Sequence, residues 1–310
     1  MSKVVCIARL TGARGKAFAA AANGALNVEL VDLDRLATEM PALTGSASEA
    51  TCLVIEPSPA AAALLSQFSK LRLVQLLTCS QGDIDVIGLQ RAGVQVANVA
   101  EPLADIVAEY TMGLVSRSLR VNESLTARTV GVVGLGRVGL RVARLAGAAG
   151  AQVIFADIRT PPQALTLNSV LRRATLDQLL TTSDVTTLHV PYGPTTKGLI
   201  AARELRLMPD GAVLMNMSDR RVLHETAALA TAALVDDKRA AGLLAAATQE
   251  AASDSPEAHL AAAEFAVANV VRVLAGAPAR SPVEILEAPT AGDPAFWSSR
   301  LYPRRTDQTA

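Results

Sequence analysis

Two periodicities of apolar residues alternate along this chain. Short runs rich in β-branched residues recur as KVVCIA (3–8), NVELVDL (27–33), TCLVIEP (51–57), LRLVQLLT (71–78) and VQVANV (94–99). Each is bounded by turn-forming or charged residues, which predicts strands. Between them lie helical stretches, GKAFAAAA (15–22) and PAAAALLSQFSK (59–70). A longer helical pattern, PLADIVAEYTMGLVSRSLRV (102–121), leads out of this first series. A second series follows. TVGVVGL, AQVIFAD, DVTTLHVP and GAVLMNM are expected strands, with RAAGLLAAA (239–247) a candidate last one. RVGLRVARLAGAAG, TLDQLLTTS and LHETAALATAALVDDK are expected helices. The stretch HLAAAEFAVANVVRVLAG (259–276) is interrupted by Glu264 and Arg272 and reads as an amphipathic helix. Strands alternating with helices imply parallel sheets covered on both faces. The expected class is α/β, with two Rossmann-like or flavodoxin-like domains and a cleft between them.

The 310 residues suit two domains of ordinary size, and half of them are hydrophobic, enough for well-buried cores. Lys+Arg and Asp+Glu both total 29. That balance offers neither a basic footprint for nucleic acid nor a polybasic arm for a membrane surface. No apolar run approaches the ~20 residues of a membrane span. The N-terminal apolar run ends at Arg9, too soon for a secretory leader. Cys6, Cys52 and Cys79 have no metal-ligand spacing, so buried reduced thiols and a cytoplasmic location are expected.

One stretch carries specific chemistry. Gly134-Leu135-Gly136-Arg137-Val138-Gly139 follows an expected strand and opens an expected helix, and Asp157 ends the next strand 18 residues after Gly139. This is the βαβ setting of a dinucleotide fingerprint. Gly134 permits the tight turn, Gly136 lets backbone approach a pyrophosphate, and Gly139 lets helix pack on strand. The helix N-terminus offers unpaired N–H groups to the phosphates. Asp157 is placed to accept from the adenosine ribose hydroxyls, which favours NAD. Arg159, two residues on, leaves NADP open through a 2′-phosphate contact.

Further segments extend the pattern: LRLVQLLTCSQGDIDVIGLQRAGVQVANV, ADIVAEYTMGLVSR, TTSDVTTLHVPYGPTTKGLI, MPDGAVLMN and VANVVRVLAGAPARSPVE. With the glycine motif, they make the chain resemble the D-isomer-specific 2-hydroxyacid dehydrogenases, the phosphoglycerate/glycerate dehydrogenase-like family. The resemblance implies a substrate domain from both chain ends, 1–103 with 269–310, around an NAD-binding domain, 104–268. It implies hydride transfer between NAD and the C2 of a small 2-hydroxy or 2-oxo acid. It places His189, Pro191, Thr196 and Met217 with Arg137 and Val138 at the cofactor, and Ser80, Gln81 and Gly82 in the substrate loop. In the family an arginine holds the substrate carboxylate, and a histidine tuned by a glutamate passes the proton.

The catalytic residues depart from that pattern. Counted from Asn216, the arginine position holds Asp219 and the following glycine position holds Arg220. TQEAASDSPEA puts Glu250 where the histidine belongs, and the segment between Gly242 and Thr248 is short. His224 starts a helix beside Glu225, and His259 reads as a surface group. Asp219 and Glu250 as a pair of anions would repel a 2-oxo acid on the order of several kcal/mol. They would suit a neutral or cationic carbonyl or imine, and one of them, protonated by burial, could act as a general acid. The plainer readings are a helix cap for Asp219 and a solvated residue for Glu250. Arg220, through a one-residue shift of its loop, could restore carboxylate binding.

Three functions therefore stand open: an NAD(H)-dependent oxidoreductase with an altered site, a catalytically silent NAD-binding protein, and a 2-hydroxyacid dehydrogenase rescued by Arg220. The family's dimer-building insertion is contracted between Arg117 and Leu125, so a homodimer is left open. The aromatic residues Phe296, Trp297 and Tyr302 gather in the C-terminal tail, which suggests docking.

Overall fold

The computed structural model describes residues 3–35, 49–119, 124–159, 171–193, 195–224 and 252–283. They divide into two compact units, one from the described residues of Met1–Leu103 and Ser253–Ile285, the other from those of Ala104–Ala252.

The first unit is a five-stranded parallel sheet. Its strands are β1 (Lys3–Ala8), β2 (Val28–Asp32), β3 (Ala50–Ile55), β4 (Leu73–Leu76) and β5 (Gln95–Ala97), in the order β2-β1-β3-β4-β5. Burial explains why these runs are apolar without a polar alternate: side chains on both faces are covered. Val5, Ile7, Leu53, Ile55, Val74 and Leu76 fill one face. Val4, Cys6, Cys52, Val54 and Leu73 fill the other, against Phe18, Ala266 and Val270. Phe18 lies on α1 (Ala13–Ala22). Helix α2 (Pro59–Leu64) starts where Ser58 accepts from the Ala61 N–H at 3.1 Å and Pro59 presets the first turn. The short helix α3 (Val86–Arg91) follows in the chain, and then the long α4 (Ala100–Ser118), of which all but the first four residues belong to the second unit.

The edge of β5 is not open. Ala97 bridges Pro282 antiparallel, and the Val283 N–H donates to the Val96 carbonyl at 2.9 Å. This caps an edge that would otherwise invite strand addition.

In the second unit the strands are β6 (Thr129–Val133), β7 (Gln152–Ala156), β8 (Leu171–Arg173), β9 (Val185–Leu188) and β10 (Val213–Asn216). Their order is β10-β9-β6-β7-β8, again all parallel. The chain thus reverses direction across the sheet between β6 and β9, the switch point where open α/β sheets bind ligands. Helices α5 (Arg137–Ala148), α6 (Leu176–Thr182) and α7 (Ala202–Leu207) connect the strands. Thr175 and Gln178 form a capping box that fixes the start of α6.

Two parallel α/β sheets agree with the fold class read from the sequence. Helix α8 (Pro256–Leu274), which belongs with the first unit, runs unbroken through residue 269, where the sequence puts the second domain crossing. The expected strand at 239–247 and the C-terminal tail, with Phe296, Trp297 and Tyr302, lie outside the described residues.

Candidate functional site

Two loops flank the switch point of the second unit. The first is the turn from β6 into α5. Gly134 has φ +91, and a Cβ there would stand 2.9 Å from the His189 backbone. A Cβ on Gly139 would lie 2.0 Å from the Gly134 carbonyl oxygen, so only glycine lets α5 close on the turn. Gly136 differs from both: a Cβ there would meet only the Arg159 guanidinium, at 3.7 Å. The protein itself does not need that glycine, so the space suits an approaching ligand. Gly136 is also the N-cap of α5 and supplies no side-chain acceptor, so the first N–H groups face outward without a cap. Val138 is buried and Arg137 is exposed beside that end.

Asp157 follows β7 and is buried. Its Oδ2 accepts the Leu135 N–H at 2.7 Å, and its Oδ1 accepts the Arg159 N–H at 2.7 Å. Each oxygen keeps a second lone pair for a hydroxyl donor. The carboxylate therefore links the glycine turn to the end of β7 and keeps acceptor capacity for a hydroxyl donor.

The second loop follows β9. The His189 N–H donates to Val133 at 2.8 Å, and the Met217 N–H, just past β10, donates to Leu188 at 3.1 Å. Gly134, His189 and Met217 thus stand at one level across three strands. Both ring nitrogens of His189 are buried and have no hydrogen-bond partner among the described residues. Burial pushes its pKa down to about 3, so the ring is neutral. Pro191 is exposed, and its carbonyl accepts from the Thr196 hydroxyl at 2.6 Å. That hydroxyl also accepts the Gly193 N–H at 2.9 Å. Thr196 is spent on shaping the turn.

Past β10, the Asn216 side chain accepts the Ser218 N–H at 3.0 Å and donates to the Asp219 carbonyl at 3.2 Å. Asp219 caps the 3₁₀ turn Arg220–Val222. Its Oδ1 accepts from the Arg221 N–H at 2.8 Å and Nε at 3.0 Å, and its Oδ2 from Nη2 at 2.9 Å. Arg221 also lies 3.9 Å from the centre of the Tyr192 ring. Burial alone would raise the Asp219 carboxyl, but the hydrogen bonds and charge of Arg221, with a contribution from Arg220, hold it below the usual range. Of the two readings open for Asp219, the geometry fits the cap, with the carboxylate ionised and neutralised by Arg221, and not a free or protonated acid. Arg220 is exposed.

Glu250 lies outside the described residues. His224 is exposed. His259 is not the surface group expected. It is 7% exposed in the first turn of α8, with Nε2 3.1 Å from Asp254. The clamp of Arg221 on Asp219 and Tyr192 was not read from the sequence. The Asp-x-Arg spacing at a turn was the available signal for half of it; the contact with Tyr192 had none.

A family model, D-isomer specific 2-hydroxyacid dehydrogenase, NAD binding domain, matches residues 94–264. The chain belongs to that family. D-3-phosphoglycerate dehydrogenase of Mycobacterium bovis is 32% identical over 251 residues, 74% of this chain and 46% of the relative. This chain spans about half the length of the curated relatives it matches. Among solved structures, D-lactate dehydrogenase from Aquifex aeolicus, complexed with NAD and lactic acid, has a TM-score of 0.71 at 20% identity, covering 88% of this chain and 96% of that one. An acyclic imino acid reductase in complex with NADPH and D-Arg has a TM-score of 0.70 at 20% identity, covering 91% and 100%.

As in this dehydrogenase family, the second unit is an NAD-binding domain. Its residues fit the group. Gly136 leaves open space at the start of α5, Asp157 keeps acceptor capacity, and His189 is a buried polar ring without a hydrogen-bond partner among the described residues. In the first unit, the loop after β4 holds the residues from which the sequence leads one to expect substrate contact. Thr78 donates to the Ser80 carbonyl at 2.7 Å, and Gly82 donates its N–H to the Ser80 hydroxyl at 3.2 Å. Gln81 is buried and Gly82 has φ +57. Asn98 anchors the loop from β5 by donating to the Cys79 carbonyl at 3.1 Å. These bonds fix the loop's shape.

Proposed function

We propose that this chain is an NAD(H)-dependent oxidoreductase of small 2-hydroxy or 2-oxo acids, with Arg220 holding the substrate carboxylate. The pairing of Asp219 with Arg221 carries this choice. It removes a free anion from the turn after β10, and with it the main reason to expect a cationic or neutral substrate. Asp219, Arg220 and Arg221 together leave one net positive charge, on the exposed Arg220. An arginine fork is suited to a planar carboxylate.

In this reading Gly134, Gly136 and Gly139 with the α5 N-terminus hold the pyrophosphate, and Asp157 holds the adenosine ribose. Arg137, Val138, Pro191, Thr196 and Met217 shape the remaining walls. The cofactor supplies or accepts the hydride. Arg220 orients the substrate by its carboxylate. Glu250, which stands where the family resemblance expects the histidine, is the proton carrier this reading requires. A cytoplasmic location and a homodimer without the long family arm belong to the same reading.

One observation favours a second reading, in which the chain binds NAD without turnover. The position at which the family resemblance expects the substrate-holding arginine carries Asp219, and its carboxylate is taken up by Arg221.

The test is NADH oxidation with a panel of 2-oxo acids, their amides, and imines. The proposal expects 2-oxo acids to be preferred, and Arg220→Ala to lower kcat/KM on them about 10- to 100-fold, the loss of a charge-assisted hydrogen bond. NADH affinity should be unchanged. Preference for the amides or imines, or an Arg220→Ala enzyme as active as wild type, would refute it. Full NADH binding with no turnover on any of them would favour the second reading.

A further inference from the structure

The turn after β10 that carries Arg220 is too short to hold its own shape. It is a single 3₁₀ turn, Arg220–Val222, closed by the Val222 N–H on the Asp219 carbonyl at 3.0 Å. Such turns have poor hydrogen-bond geometry. Its place is set by the loop after β9. The Arg221 carbonyl accepts the Gly198 N–H at 2.9 Å, and the Val222 carbonyl accepts the Ile200 N–H at 3.2 Å. Those bonds tie the C-terminal side of the turn. On the Asp219 side, side chains make the tie. Asn216 donates to the Asp219 carbonyl at 3.2 Å, and Arg221 forks onto the Asp219 carboxylate at 3.0 and 2.9 Å. The Arg221 guanidinium also lies 3.9 Å from the centre of the Tyr192 ring, in the loop after β9. Tyr192 is half-buried and packs on the core that Leu188, Val190 and Leu214 help build. The ring is therefore a fixed plate, and Arg221 bridges it to the residue that precedes Arg220.

We infer that Tyr192 and Arg221 are positioning residues: together they hold the turn after β10 against the loop after β9, and so place the Arg220 guanidinium for the substrate carboxylate. The inference rests on the reading that Arg220 holds that carboxylate. Neither residue needs to touch the substrate. The charge of Arg221 is directed at Asp219 and at the face of the ring, whose negative π cloud attracts a guanidinium. Arg220 is left exposed between two held neighbours. A binding group serves its ligand when its support is locked to within about 0.5 Å. Without the plate, Arg221 swings together with Asp219, and Arg220 samples positions from which its fork misses the carboxylate. The carboxylate keeps its charge while the neighbouring carbon reacts. Its contact is therefore equally strong in the ground state and the transition state, and loosening it raises KM while kcat is kept.

The test is steady-state NADH oxidation with 2-oxo acids by the full chain, in wild type, Tyr192→Leu, Tyr192→Phe and Arg221→Gln, with NADH affinity from fluorescence titration. Tyr192→Leu keeps the apolar packing and removes the π face. KM for the 2-oxo acid should rise roughly 3- to 10-fold, the loss of one cation–π contact, with kcat within about twofold. Tyr192→Phe keeps the face and should match wild type. Arg221→Gln also frees the Asp219 carboxylate beside Arg220, so KM should rise by more than about tenfold. NADH affinity should stay within about threefold throughout. In the Arg220→Ala background, Tyr192→Leu should raise KM no further, because it acts through Arg220. Tyr192→Leu with the KM of wild type would overturn the inference. So would Tyr192→Phe as impaired as Tyr192→Leu, or the same rise in KM with Arg220 already removed. In those cases the reading of Arg220 stands. Wild type without turnover of any 2-oxo acid, or Arg220→Ala as active as wild type, would sink that reading and this inference with it.

Discussion

Replacing Asp219 by Ala tests the clamp on which the substrate reading turns. The side chain accepts the Arg221 N–H at 2.8 Å, and a fork from Arg221 Nε and Nη2 at 3.0 and 2.9 Å. Loss of the cap costs about 1 kcal/mol. The ion pair has 14% of the Asp219 side chain and 32% of the Arg221 side chain exposed, so its share is screened to about 1 kcal/mol more. The sum, about 2 kcal/mol, corresponds to a Tm lower by roughly 4–8 °C for a unit of this size. The pH dependence has a definite sign. The folded carboxyl titrates below its ordinary range, so its contribution is present above the unfolded value near 3.9 and disappears as pH falls through the lowered folded value. Urea unfolding of wild type and Asp219→Ala at pH 7, and at steps down to about pH 3, is the assay. The gap between the two proteins should be constant from neutrality to about pH 5 and shrink below pH 4. A variant within about 0.5 kcal/mol of wild type at pH 7, or a gap that widens in acid, would refute the clamp.

Two further outcomes follow from the cofactor unit. Gly139→Ala forces a Cβ to 2.0 Å from the Gly134 carbonyl, so the turn must open; NADH titration should show affinity down at least about tenfold, and wild-type affinity would contradict the packing role. His189 has its pKa lowered to about 3 from 6.5, so its contribution to stability is present above the unfolded value and is lost as pH falls between the two. In His189→Gln, a plot of unfolding free energy against pH should lose about 1.4 kcal/mol per pH unit of slope between pH 4 and 6, and an unchanged slope would show that the ring is solvated.

Much of the fold was legible because buried parallel strands leave long apolar runs. KVVCIA became Lys3–Ala8 without adjustment, and TVGVVGL became Thr129–Val133. β8 was not legible: Leu171–Arg173 is a three-residue edge strand with two arginines, held by its pairing to β7 and carrying almost no pattern of its own. The short helices α3 and α7, six residues each, are set by tertiary packing in the same way. In the site, the glycine turn and Asp157 were legible because backbone geometry demands those residues at fixed spacing. For Asp219 the cap was one of two readings, and sequence alone did not choose between them. Counting located its position, but its charge state depends on which of two neighbouring arginines folds back on it, and on Tyr192 lying under that arginine. His259 was misjudged for the same reason: its burial depends on what packs against α8.

The most direct test of the account is a crystal structure of the chain with NADH and oxamate, a stable mimic of a 2-oxo acid. The account predicts the oxamate carboxylate within about 3 Å of the Arg220 guanidinium, with Arg221 still paired to Asp219. A carboxylate held elsewhere, or Arg221 released from Asp219 to bind it, would contradict it.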